Sequence, residues 1–522
     1  MPALAEATKL TSRNPATGEA LGDVDCASPE QVASAVARAR AAQASWSEQP
    51  LPERLRPLRR FQHVLHERKR EVGESIAREA GKPYVEALLT EVIVALDAAK
   101  FCVREAHSFL RPQPVPHSNL LMRSKHGYFL RQPYGVVGII APWNYPFSIP
   151  AVQALAALVT GNAVVLKPSE FTPLIALKLQ KLFEESGLPP DLFQVVAGEA
   201  QTGSALITSG VNKLVFTGSV ATGKRVAEAA AAHLLPVVLE LGGKDPMLVL
   251  ADADVDVASS AAIWGAFVNA GQTCLSVERC YVYRSLYESF LVACVEKARR
   301  LKVGNGMDPE TEVGPMIHQR QLHIVEEHVN DALSRGARLL VGGSTLPELG
   351  ENFYAPTVLA DVDQQMRIMQ EETFGPVLPV MPFDSEEEAL RLANDSQFGL
   401  SASIWTRDRT RGESLASRIE AGTVMVNDVV ACFGISEAPH GGVKSSGLGR
   451  MHGRTGLEEM TRLKYVDSDL VPSMKKVWWY GYGSAFGLQI EGFTDFLFGR
   501  SPARRLAGGL SSARAFFRRG RL

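Results

Sequence analysis

A chain of 522 residues, 46% hydrophobic and 21% charged, is large enough for two or three cores, and a formal net charge of -2 with a pI near 6.6 argues against nucleic acid as a partner. The six cysteines, at 26, 102, 274, 280, 294 and 432, have neither the density of a disulfide scaffold nor a C-x-x-C pair, so a reducing compartment is expected and no metal site. The start MPALAEATKL lacks the apolar run of a signal peptide, and no uncharged stretch reaches the roughly 20 residues that span a bilayer, so the main body of the chain is expected to be cytoplasmic.

Residues 30–110 carry helical periodicity, as in EQVASAVARARAAQASW, broken at Pro52 and at Gly81-Lys82-Pro83, and read as surface helices. From 134 short apolar strands alternate with helices: YGVVGIIA, NAVVLKPS, FQVVAG, KLVFTGS and PVVLELGG. That alternation predicts a parallel sheet covered on both faces. It starts again at VERCYVY (277–283), ARLLVGG (337–343) and PVLPVMPF (376–383), predicting a second α/β unit.

Within KLVFTGSVATGKR the glycines Gly218 and Gly223 with Lys224 imitate a nucleotide triphosphate loop. Such a loop needs Ser or Thr after the lysine to hold Mg²⁺, and Arg225 stands there instead. Strand, tight turn and helix still aim backbone N–H groups at an anion, an arrangement that serves a dinucleotide as well as a triphosphate.

Four stretches set reactive or polar side chains among apolar residues and glycines: APWNYPF (141–147), LELGGKDP (239–246), GQTC (271–274) and EETFGPV (371–377). Glu240 ends a predicted strand and so lies at the carboxyl edge of a sheet, where such folds bind ligands. Taken singly, Cys274 is more often a small buried hydrophobe than a nucleophile, and Glu240 more often a structural or solvated charge.

Together with KPSE (167–170), FTGS and GGVKSSGLGR (441–450), in this order and spacing, these stretches make residues 10–467 resemble the NAD(P)-dependent aldehyde dehydrogenase superfamily, in its non-acylating branch. The resemblance implies a Rossmann-type cofactor domain (1–116 and 134–241), a second α/β catalytic domain (242–450) and a small β oligomerisation element (117–133 and 451–469), assembled as a homodimer or homotetramer. It implies Cys274 as the nucleophile, Asn144 with the Cys274 backbone N–H as the oxyanion site, and Glu240 as the base that activates water against the thioester. Ile140, Trp143, Gly218 and Ser219 fall at the cofactor site; Lys167 and Glu170 match positions that bind the adenosine ribose, and Glu372 and Phe374 those that hold the nicotinamide ribose and ring. The expected cofactor is NAD, with NADP as the alternative, because the Glu170 carboxylate would repel a 2′-phosphate. The substrate is a small-molecule aldehyde.

Departures qualify the match. His440 precedes GGVK where many members carry an aromatic residue, and it reads either as a substrate contact or as a plain histidine. With Thr273 and Leu275 beside the cysteine and no arginine clearly placed for an anionic substrate, an apolar medium- or long-chain or aromatic aldehyde is expected, with succinate semialdehyde as the alternative. A CoA-acylating enzyme would lack Glu240. A non-catalytic structural relative would have no need of Cys274, Glu240 and Asn144 together.

The tail, 470–522, differs from everything before it. Residues 471–522 carry nine Lys/Arg against Glu491 and Asp495, a net +7 that leaves about -9 for the rest of the chain. Trp478, Trp479, Tyr480 and Tyr482 are rings suited to the headgroup level, and Phe486, Ile490, Phe493 and Leu497 recur at helical spacing. The expectation is an interfacial segment at a membrane surface, against the alternatives of an arm on a neighbouring subunit or a disordered basic end.

Overall fold

The computed structural model describes residues 9–473, 476 and 478–519, with the backbone alone for 515–519. Five apolar runs form the parallel strands Val136–Ile140 (β1), Ala163–Lys167 (β2), Phe193–Val195 (β3), Lys213–Thr217 (β4) and Val237–Glu240 (β5), in the order β3-β2-β1-β4-β5. This is a doubly wound half-sheet, whose ligand crevice lies at the strands' carboxyl ends where the order reverses, between β1 and β4. Every residue of β2 is buried, as a parallel strand covered on both faces requires. The connections are helical, among them Ser148–Val159 (α1), apolar and buried all round, and Val220–Ala231 (α2).

A sixth strand, Gly447–Leu448, returns from far along the chain to pair antiparallel with β5, setting Gly447 opposite Glu240. A Cβ at Gly447 would stand 2.0 Å from the Leu239 carbonyl, so only glycine lets this segment close over the end of β5.

The helices between 29 and 110 were expected on the surface; they are half core. Val32, Val36, Trp46, Phe61 and Phe109 are buried and join α1 and the strands in one hydrophobic cluster. Helical periodicity identifies an apolar face but not the thickness of what covers it.

The second sheet has seven strands: Asp245–Val249 (β6), Val277–Tyr283 (β7), Arg338–Val341 (β8), Thr357–Ala360 (β9), Val377–Phe383 (β10), Ser401–Trp405 (β11) and Thr423–Val426 (β12). Their order is β8-β9-β10-β7-β6-β11-β12, parallel except for β8 against β9. Since β5 and β6 are separated only by Leu241–Lys244, the chain passes from one sheet to the other directly after Glu240.

The chain divides into two units, residues up to 112 with 130–464, and 113–129 with the segment from 465 onward. Both sheets above belong to the first. A three-stranded sheet is built from Gln113–Val115, Lys125–Pro133 and Thr461–Asp469, the last exposing Leu463 and Tyr465. In the tail, helices Ser484–Phe498 and Pro502–Arg519 pack together where Gly492 meets Gly508; a Cβ on Gly508 would lie 2.5 Å from the Gly492 carbonyl. Among the described residues no helix is long and apolar enough to cross a membrane.

Candidate active site

Cys274 sits in the loop entering β7. Three consecutive residues before it, Asn269, Ala270 and Gly271, are left-handed at φ 55°, 54° and 70°. Such a run is costly for the two non-glycine residues and persists only when its surroundings over-determine it. They do. The Asn269 backbone N–H donates to Glu86 at 2.9 Å, and its side-chain amide donates to the carbonyls of Asn144 and Gln272, each at 3.1 Å. Gly271 is required by packing too, since a Cβ there would fall 2.1 Å from the Gly375 carbonyl.

The APWNYPF stretch is pinned to the same loop. Asn144 Nδ2 donates to the Gln272 carbonyl at 3.0 Å and the Tyr145 hydroxyl meets Thr273 Oγ1 at 2.7 Å. Lys82, wholly buried, donates to the Asn144 carbonyl at 2.8 Å and pairs with Glu91 at 2.7 Å, while Glu91 accepts the N–H groups of Phe147 and Ser148. A buried charge pair with its remaining valences hydrogen-bonded specifies geometry more than stability. Sequence reading passed over Lys82, Glu86 and Glu91. The available signal was a lysine between Gly81 and Pro83 in a break between otherwise apolar helix faces.

The LELGGKDP glycines serve close approach. A Cβ on Gly243 would stand 2.4 Å from the Cys274 carbonyl, and one on Gly242 would strike the Glu372 carboxylate at 2.5 Å. Glu372 accepts the Gly243 N–H at 3.0 Å. Lys244 is structural: it pairs with Glu278 at 2.5 Å, and Glu278 in turn accepts the N–H groups of Thr373 and Phe374.

Two cavities meet at Cys274. One, about 310 Å³, is a funnel lined by Leu89, Val94, Tyr145, Ile149, Trp264, Leu275 and Phe433 among others, none of its lining residues being charged. The other, about 20 Å³, is walled by Glu240, Gln153, Thr217, His440 and His452 together with Cys274. That is room for about one water molecule, for which roughly 10–15 Å³ suffices. His440, left open between substrate contact and plain histidine, lines the small cavity beside Glu240 and not the funnel. His452 was not singled out from the sequence at all.

Burial governs the titration of the site. It pushes the Cys274 thiol well above its ordinary range, reinforced by the carboxylates of Asp245, Glu372 and Glu240. It raises Glu240 well above the usual carboxylate range as well, with the Arg450 guanidinium opposing. Glu372 is pushed up to about 8 by burial and then by Glu278. His440 falls to about 3 and His452 to about 4, again through burial, so both imidazoles are neutral at pH 7.

The remaining candidates gather at the carboxyl edge of the first sheet. Ile140 and Lys167 are register partners at the ends of β1 and β2. Gly218 and Ser219 follow β4, and the Ser219 side chain caps α2 by accepting the Thr222 N–H. Lys167, buried, reaches Glu170 at 3.5 Å, and Glu170 is 43% exposed. Trp143 meets Phe374 edge to face at 5.4 Å, bringing the loop before β10 to the same crevice. His318, unanticipated, adds a ring to this group, 6.0 Å from Trp143 and 4.5 Å from Phe171. Lys224 is exposed on α2, as expected of a helix-surface lysine.

A doubly wound sheet with a glycine turn before a helix, and a cysteine and a glutamate facing one cavity at its edge, defines an oxidoreductase of the nucleotide-binding α/β class. The chain belongs to the aldehyde dehydrogenase family, whose profile matches residues 4–466. It is 41% identical to a 4,4'-diapolycopene aldehyde oxidase of Methylomonas sp over 495 residues, 94% of this chain and 92% of that protein. It is 40% identical to a betaine aldehyde dehydrogenase of Cereibacter sphaeroides, covering 87% and 92%, and 38% identical to a putative NADP(+) succinate-semialdehyde dehydrogenase of Mycolicibacterium smegmatis, covering 88% and 87%. Among solved structures, an NAD+ complex of an aldehyde dehydrogenase from Bacillus cereus superposes with a TM-score of 0.85 at 36% identity, over 89% of this chain and 94% of that one. A succinate-semialdehyde dehydrogenase from Burkholderia pseudomallei gives 0.84 at 36%, over 88% and 95%. The chain is therefore an enzyme that oxidises an aldehyde with NAD or NADP.

Proposed function

We propose that this enzyme oxidises an apolar aldehyde, of medium or long chain or aromatic, to the carboxylate, with Cys274 as nucleophile and Glu240 as the hydrolytic base. The observation that carries the reading is the position of Cys274 on the shared wall of the funnel and the Glu240 cavity. The aldehyde enters from the funnel and its carbonyl carbon accepts the Cys274 sulfur. Asn144 spends one amide N–H on Gln272, and its second N–H with the Cys274 backbone N–H holds the oxyanion. NAD supplies the hydride acceptor that leaves a thioester on Cys274. Water in the small cavity then gives a proton to Glu240 and attacks that thioester.

The residues fit such a cofactor: a helix start capped by Ser219 for the pyrophosphate, an ammonium and a carboxylate at Lys167 and Glu170 for a ribose diol, and Trp143 with Phe374 for the nicotinamide end. NAD over NADP follows from Glu170, whose carboxylate near a 2′-phosphate costs roughly 1–4 kcal/mol before the screening its exposure allows. Equal kcat/KM for the two would remove the preference. The domain division at 116, 134, 241 and 450 is part of this reading, and the exposed strand Thr461–Asp469 supports an oligomer through edge pairing.

Apolar substrate is favoured over succinate semialdehyde because no cation lines the funnel. Its rim is apolar too: Leu89 and Trp264 are 56% and 44% exposed, and Val85, Leu89 and Ile93 recur on one helical face. Initial NADH rates across octanal, benzaldehyde and succinate semialdehyde test this; a higher kcat/KM for the last would overturn it.

Membrane contact through the tail belongs to the same reading. Tyr480, Tyr482, Leu488, Phe498, Leu506 and Leu510 are exposed beside Arg500, Arg504, Arg505 and Arg514. The side chains of Lys475, Arg518, Arg519 and Arg521, four of the nine basic residues, lie outside the described residues, as do those of the Phe516-Phe517 pair set among these arginines. Ninety-four per cent of 522 residues exceeds 470, so the match to the diapolycopene aldehyde oxidase runs into this tail. A cytoplasmic enzyme working at the membrane surface would meet an apolar aldehyde where it dissolves. Flotation with anionic vesicles that is lost on truncation after Leu470 supports the reading; equal flotation of both chains ends it.

A further inference from the structure

The small cavity holds more unpaired polar atoms than a single base requires. Both carboxylate oxygens of Glu240, Oε1 of Gln153, Nδ1 of His440 and Nδ1 of His452 are buried without a hydrogen-bond partner. Native interiors leave few such atoms, so five around about 20 Å³ call for a physical reason. His440 Nε2 lies 3.7 Å from Glu240 Oε2, a small rotation from a hydrogen bond.

The imidazole is held for that contact. The backbones of His440 and Met451 exchange two hydrogen bonds of 2.7 Å, which fixes the His440 Cα. Its ring stands edge-on to Phe433 at 5.0 Å, and Phe433 lies 4.5 Å from His452. His452 has φ 61°, a conformation rare for a residue other than glycine. The groups facing Glu240 from other elements are Arg450, tied to the carbonyls of Gly442 and Gly449, the carboxylate of Glu459, and the Cys274 thiol. Each imidazole stays neutral in this pocket, so His440 keeps one N–H to donate and one lone pair.

We propose that His440 is a positioning residue for the hydrolytic half-reaction: its Nε2–H turns onto the ionised Glu240 carboxylate and aims the base at the water beside the Cys274 thioester. In that step the water oxygen bonds to the acyl carbon, one water proton moves to Glu240, and the C–S bond breaks to return Cys274 as a thiolate. His440 keeps its own proton throughout. The inference rests on the reading of Glu240 as the base.

The test uses the full-length enzyme with NAD and octanal in stopped flow. His440→Phe keeps the ring shape and removes the donor. It is expected to release one equivalent of NADH per site at a near wild-type rate, then turn over at least about tenfold more slowly, with the ascending limb of the pH profile moved to higher pH. His440→Gln, which restores an N–H near the same place, is expected to recover most of the steady rate. An unchanged steady rate and pH profile in His440→Phe overturns the proposal. So does an equal loss of burst and steady rate in both variants, which would mark a purely structural residue, or a preserved burst that His440→Gln fails to follow with recovery. Glu240→Gln separates the two readings: if it does not stall after one equivalent, the base assignment itself falls, whereas if it stalls and His440→Phe does not slow, only the role of His440 falls.

Discussion

The two cavities that meet at Cys274 share Ile149 and Phe433 but differ in size by more than tenfold and in the ionisable groups they hold. The funnel, about 310 Å³, is apolar, uncharged and rimmed by exposed Leu89 and Trp264; the chamber behind it, about 20 Å³, collects a carboxylate and two imidazoles. In the proposed reaction one sulfur serves two half-reactions: space and apolarity on one side would select the aldehyde, while confinement and desolvation on the other would prepare one water and one base. Desolvation holds the Glu240 carboxyl well above its usual range, and the neighbouring Arg450 opposes that shift by favouring the anion.

The wall itself is the place for the largest effect. Cys274→Ala should lower aldehyde oxidation by about 10⁴ or more while leaving NAD binding close to normal, because the nucleophile is lost and the crevice is elsewhere. Residual turnover above about 1% would mean that the sulfur does not react covalently. Emptying only the small chamber of its base should break one half-reaction: Glu240→Gln is expected to form one equivalent of NADH and then slow roughly 10²-fold, and an undiminished steady rate would assign hydrolysis to another group.

Changing the funnel should leave the chemistry and alter the choice. Trp264→Arg sets a cation at its half-exposed rim, which should lower kcat/KM for octanal roughly tenfold and raise it for succinate semialdehyde; a parallel change for both would show that the rim does not select. The smallest effect, a few-fold, is the pH response. Glu240 must be ionised to accept the proton, and burial raises its folded pKa, so the base is active above that pKa and is lost as pH falls through it. Steady-state turnover should therefore climb toward alkaline pH. A profile flat from pH 6 to 9 would place Glu240 among ordinary exposed carboxylates.

Much of the fold was legible because fully buried strands are runs of apolar residues whatever their neighbours. β1 to β5, β7, β8 and β10 lie within the segments read as strands. β6, β9, β11 and β12 were missed: each is four or five residues long, and runs such as DPMLV or TVLA cannot be told from a helix edge by periodicity alone. Motif residues were legible in the same way, since a reactive side chain among glycines leaves a local mark.

Composition and local pattern establish an α/β enzyme, a dinucleotide turn in which Arg225 replaces the Mg²⁺-binding hydroxyl, and a cysteine and a glutamate in motif contexts. What those residues face depends on the assembled fold. Lys82, Glu86 and Glu91 lie more than 50 residues from the loops they fix. His440 and His452 share a cavity with Glu240, some 200 residues earlier, because Gly447 closes against the end of β5. The physical reason is that hydrogen bonds and desolvation act through space, so a buried group's partners and proton affinity depend on whatever segment the fold carries into reach, and no local pattern records that.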